Sequence, residues 1–187
     1  MVFACLLAAA AAADPLPAKD QMLVATELIQ GDVFVKTVIV LMHHDSRGAM
    51  GFVVNRPTEV PVAEVISDDD ALSGYEGNIY WGGPVQMQSL RAMLKTDDPP
   101  EGAERIVGSV YLVPVDDSLT DALDDPSNLR LYLGYAGWAP GQLDRELAMG
   151  SWIVVGASEE RVFSREPTTL WKELAPREEH RAAIGFR

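Results

Sequence analysis

Three stretches of this 187-residue chain interrupt apolar runs with glycine at short intervals, and they restrict its fold more than any other feature. The first is Gly48-Ala49-Met50-Gly51-Phe52-Val53-Val54, closed by Asn55-Arg56-Pro57. The second is Tyr80-Trp81-Gly82-Gly83-Pro84-Val85. The third runs from Gly134-Tyr135-Ala136-Gly137-Trp138 through Ala139-Pro140-Gly141-Gln142-Leu143-Asp144-Arg145-Glu146-Leu147. Glycine within a strand removes bulk and marks a bulge, tight packing or close backbone approach. Packing is the first reading for Gly48 and Gly51, and approach to a ligand is the alternative.

Around these stretches the apolar pattern predicts strands and a few helices. Residues 37–42 are a β-branched run suited to a strand buried on both faces, and after the polar turn 43–47 the strand 48–55 completes a hairpin. Arg56-Pro57 ends it, because proline has no amide proton for a ladder. Further strands are expected from Met22 and over 79–81, 90–94, 106–113, 129–133, 151–155 and 161–163, with helices over 60–66, 120–124 (capped by Ser118) and 169–174. A helix near Ala139 has Pro140 in its first turn and Gly150 at its exit, with Leu143 and Leu147 on the core side and Gln142 and Glu146 on an adjacent face. The even strand–helix rhythm of a parallel doubly wound sheet is missing.

The chain is long enough for one core without disulfides or metal. Its 28 acidic against 15 basic residues give a net charge of −13, which disfavours direct binding to nucleic acid. Acidic runs such as Asp68-Asp69-Asp70 and Asp124-Asp125 read as solvated loops and caps, since no EF-hand spacing accompanies them. Residues 1–13 are uncharged and apolar and end in an alanine run. They read first as a signal peptide whose basic start would lie upstream of Met1, which implies a periplasmic or secreted protein; a disordered extension on a cytoplasmic protein is the alternative. Residues 14–21 form a linker, 22–175 the domain and 176–187 a charged tail. No stretch is long enough to span a bilayer as a helix. Cys5, the single cysteine, lies within the apolar leader, so a mature chain without it has no thiol.

No motif announces catalysis. His43 and His44 alternate across a strand and cannot easily share an ion, and the third histidine, His180, lies in the tail. HExxH, paired cysteines and the Gly-x-Ser-x-Gly elbow are absent, and Gly82-Gly83-Pro84 lacks the lysine of a phosphate loop. No metal, cofactor or catalytic residue is assigned. The best contact candidates are Asn55, Arg56, Gly83, Pro84, Trp138 and Gln142. Against each stands a structural reading: Arg56 as a structural cap or a salt bridge, Trp138 as a hydrophobic staple before the helix.

Gly-Ala-Met-Gly with Asn-Arg-Pro, Gly-Gly-Pro-Val, and Gly-Tyr-Ala-Gly-Trp with Gly-Gln-Leu, taken together over residues 22–171, resemble the YqgE/AlgH family of small uncharacterised bacterial proteins, the UPF0301/DUF179 group. His44 fits that pattern; His43 and Asp144 depart from it. The resemblance implies an α+β fold, a single domain with a mixed, strongly curled β-sheet flanked by a few short helices. The resemblance fixes no reaction; our reading of the residues is a non-enzymatic binding or regulatory protein acting on a small ligand or a protein partner. The alternatives are a transcriptional regulator, as proposed for the alginate-regulation branch, and a hydrolase-like enzyme using His44 with Asp45.

Overall fold

The β-branched run becomes β2 (Val38–Asp45), in which Val38, Ile39, Val40, Leu41 and Met42 are all buried. It pairs antiparallel with β3 (Gly48–Val53) through a two-residue turn, and a bulge between Leu41 and His43 shifts the register. In the computed structural model, which describes residues 19–65, 72, 75, 77–121 and 125–176, this hairpin sits inside a ten-stranded mixed sheet. The N-terminal stretch 1–13 and Cys5, the run 68–70 and His180 lie outside the described residues.

The sheet order starts at β10 (Trp152–Gly156), then β1 (Gln21–Ala25), β2, β3 and β9 (Leu129–Trp138). It continues through β6 (Val85–Lys95) and β8 (Val110–Val113) to β7 (Glu104–Val107). It curls until β7 approaches β2. Strand β9 is the spine: its late residues pair with β3, and Tyr132 and Leu133 pair in parallel with Tyr80 and Trp81 of β5 (Asn78–Trp81). That parallel pair makes the sheet mixed. Strand β5 also carries β4 (Pro57–Pro61) on its other side.

The glycine motifs are packing devices. A Cβ on Gly48 would lie 2.3 Å from the Trp138 carbonyl oxygen, and one on Gly51 would lie 2.5 Å from that of Val40. Gly83, at φ +149°, lies so close to β9 that a Cβ would meet the Tyr135 carbonyl carbon at 2.2 Å. Only glycine lets these two backbones cross in contact.

Five short helices occur among the described residues: α1 (Val62–Val65), α2 (Asp117–Asp121), α3 (Gln142–Ala148), α4 (Glu159–Val162) and α5 (Pro167–Leu174). Several expectations need correcting. Arg161 is helical rather than in a strand, because Ser158 caps α4 through the Arg161 amide and Glu159 and Glu160 fill its first turn. The expected strand 106–113 folds back at Gly108-Ser109 into β7 and β8. The acceptor at the start of α2 is Asp116, to which Ser118 donates, and the helix begins earlier than expected. Residues 57–61 are strand, so the expected helix over 60–66 starts only at Val62.

Candidate functional site

Asn55 and Arg56 leave β3 just below the irregular segment 26–37, and both are used to hold it. Asn55 is buried; its Oδ1 accepts from the Val38 amide at 2.7 Å and its Nδ2 donates to the Lys36 carbonyl at 2.9 Å. Arg56 donates to the carbonyl of Val33 at 2.6 Å, of Val35 at 2.8 Å and of Asp32 at 3.4 Å. Its guanidinium also lies 5.0 Å from the ring centre of Trp81. Burial pulls Arg56 below its ordinary pKa, and among the described residues no carboxylate pairs with it. Of the two structural readings of Arg56, the salt bridge gives way to a cap-like clamp on three carbonyls.

The clamped segment lays one ring on an aromatic bed. Phe34 sits 6.1 Å from Trp81, 6.4 Å from Trp138 in a near-parallel stack, and 5.9 Å from Trp152 edge-on. Trp138 and Trp152 meet each other edge-to-face at 6.0 Å. The fourth tryptophan, Trp171 of α5, packs against the same cluster and donates its indole N–H to the Ala25 carbonyl at 2.7 Å. Such ring pairs add roughly 0.5–1.5 kcal/mol each beyond the area they bury.

One carboxylate organises the far edge of the bed. Glu146 Oε2 accepts the indole N–H of Trp138 at 2.9 Å and that of Trp152 at 2.7 Å. Its Oε1 accepts from Gln142 Nε2 at 2.8 Å, one helical turn earlier. Gln142 Oε1 in turn accepts from the Ala139 amide at 3.1 Å, capping the entry to α3. Leu143 is buried and Leu147 packs on the same cluster, as their spacing predicts.

Of the six sequence candidates, Arg56, Trp138 and Gln142 meet at this cluster, and Asn55 supports the segment above it. Gly83 is buried in the backbone crossing, and Pro84 is exposed at the turn into β6. Sequence reasoning missed Phe34, Trp81, Trp152 and Glu146 as members. The shared face of Gln142 and Glu146 was the one available signal.

His44 and Asp45 do not form a pair. His44 Nε2 lies 3.1 Å from Asp144 Oδ1, whereas Asp45 is held by Arg47 at 2.9 Å. Arg47, donating first from its side chain and then from its amide, keeps the Asp45 carboxyl below its ordinary pKa. His43 is exposed and the His44 side chain is 6% exposed, as alternation on a strand requires. Among the described residues no three His, Cys, Asp or Glu side chains gather to hold a metal, and no helix is long and apolar enough to cross a membrane.

Residues 22–182 match the family model DUF179, described as AlgH-like. A UPF0301 protein of Streptomyces avermitilis is 35% identical over 173 residues, covering 88% of each chain, and one of Chlorobium luteolum is 32% identical over 158 residues, covering 82% of each. The solution structure of the AlgH protein from Pseudomonas aeruginosa is similar with a TM-score of 0.69 and 26% identity, over 94% of this chain and 93% of that one. A crystal structure of a Corynebacterium diphtheriae protein shares the fold with a TM-score of 0.71 at 24% identity, over 88% of each chain. Motifs, fold and relatives agree: the chain belongs to the AlgH-like DUF179 family of UPF0301 proteins.

Proposed function

We propose that the protein is a non-enzymatic binding module that docks a polypeptide partner on the clamped segment 26–37 and the adjoining end of α3. The observation that carries this reading is the distribution of exposed apolar side chains. Of seven large ones among the described residues, Leu28, Val33 and Val35 lie on this one segment. A fourth, Met149 (64% exposed), ends α3 beside it, with Leu28 packed next to Gly150. Thr26 joins the two by donating its hydroxyl to the Gly150 carbonyl at 2.8 Å and its amide to that of Ser151 at 3.0 Å. Apolar groups grouped on a fixed irregular segment mark an interaction surface more often than scattered ones do. Fixing the segment beforehand lowers the ordering cost of association.

The net charge of −13 favours a partner with basic residues around its apolar contact and argues against duplex DNA as the direct target, which weighs against the transcriptional alternative. The hydrolase alternative loses its pair, since His44 faces Asp144. A photo-crosslinking residue placed at Val33 or Met149, in the protein's own cells, tests the reading. Both positions are expected to capture one common polypeptide, and the exposed control position Val60 is not. Equal capture from all three positions, or from none, would overturn it.

A further inference from the structure

We infer that the Glu146 carboxylate is the docking point for an arginine side chain of the partner polypeptide, an inference that rests on the partner-docking reading above. Its three hydrogen-bond donors, two indoles and one amide, are all neutral. Among the described residues no cation pairs with it, and the half-buried carboxylate is held there by neutral donors alone. A carboxylate has about four acceptor sites. Two of those on Oε2 and one on Oε1 are taken, which leaves capacity on Oε1 for an incoming donor.

Arginine is the cation this environment suits. A guanidinium presents paired in-plane N–H donors that match a carboxylate and is weakly hydrated, whereas an ammonium is a more strongly hydrated point charge. The chain's own Arg56 and Arg130 are held by rings together with backbone carbonyls. Arg56 lies over Trp81, and Arg130 lies between the rings of Tyr80 at 4.8 Å and Phe163 at 5.1 Å. The position also matches the proposed surface. The Ser151 amide donates to the Glu146 carbonyl, and Ser151 in turn is bonded to Thr26 at the start of the clamped segment. A partner segment covering Leu28 and Met149 would thus bring a basic side chain to Glu146.

The competing explanation is that Glu146 only satisfies the two indoles. Titration with N-acetyl-arginine amide, followed through the indole N–H proton resonances, separates the two. Saturable shifts at Trp138 and Trp152 are expected, with Trp171, bonded to Ala25, unmoved. The neutral isostere N-acetyl-citrulline amide should give no saturable shift, and Glu146→Gln should weaken the arginine response about tenfold or more. Equal shifts with citrulline, or no response to arginine at millimolar concentration, would overturn the inference, and the citrulline comparison in the unaltered protein holds even if the variant does not fold. Crosslinking from Val33 in an unaltered protein that shows no arginine response would leave the docking surface standing and sink only the arginine.

Discussion

Gln142 donates to Glu146 across 2.8 Å within α3, and this bond joins the helix entry to the carboxylate on which two indoles converge. Glu146→Ala therefore strands two indole N–H groups, one of them on buried Trp138 and one on buried Trp152. Each buried donor left unpaired costs about 1–3 kcal/mol, so a loss of about 3 kcal/mol in urea unfolding is expected. Gln142→Ala, which removes one donor from a carboxylate that keeps two and releases the exposed Ala139 amide to water, should cost about 1 kcal/mol. Equal costs would show that the indoles do not depend on Glu146.

Arg56→Lys should behave as a disruptive change. A lysine ammonium cannot span the carbonyls of Val33 and Val35 with the planar fork that Arg56 uses. The expected result is a stability loss of about 1–2 kcal/mol, with faster hydrogen exchange confined to residues 26–37. Uniform acceleration across the sheet would contradict the clamp.

Tyr132 is wholly buried, and among the described residues its hydroxyl has no hydrogen-bond partner. Burial pushes its pKa far up, with nearby Arg130 opposing. Tyr132→Phe removes the unsatisfied group and keeps the ring packed on Phe52 and Tyr80. Stability is expected to stay level or rise by up to about 1 kcal/mol, read as an unchanged or higher Tm. A fall of about 2 kcal/mol or more would mean the hydroxyl has a partner in solution, for which a buried water is the candidate.

Acid sensitivity should arise in part at Glu159. The Ser109 amide, at 2.8 Å, and then its hydroxyl, at 3.0 Å, hold this carboxyl below its ordinary pKa of 4.5, with Lys95 adding to the effect. A carboxyl lowered in the folded state stabilises above its unfolded pKa and loses that contribution as pH falls through the folded value. Glu159→Gln should thus cost about 1 kcal/mol at pH 7 and flatten the fall in stability below pH 4.5. An unchanged acid limb in the variant would assign the sensitivity elsewhere.

The strands were legible because β-branched runs and glycine interruptions report packing directly. Pro57 and Gly150 stand where elements begin and end, whereas Pro140, expected in the first turn of α3, lies before its N-cap Gly141. The places that misled are local contests. Ser158 and the acids after it outweighed the apolar residues near Val162, and Gly108 turned one strand into two. The site was legible only as a set of motif residues. Asn55 and Arg56 look free in sequence, yet their partners are carbonyls about twenty residues earlier, which no local pattern records. Phe34 lies in a segment without periodicity, and Trp152 reads simply as the start of a buried strand. Only the curl of the sheet brings them together with Glu146.

Native mass spectrometry of the protein purified gently from its own cells, beside a variant carrying Leu28→Ser, Val33→Ser and Met149→Ser, tests the central claim most directly. The account expects a bound polypeptide on the wild-type chain, lost from the variant while circular dichroism and Tm stay unchanged. A polypeptide retained by the folded variant, or a wild-type chain that carries none, would contradict a docking surface on the clamped segment.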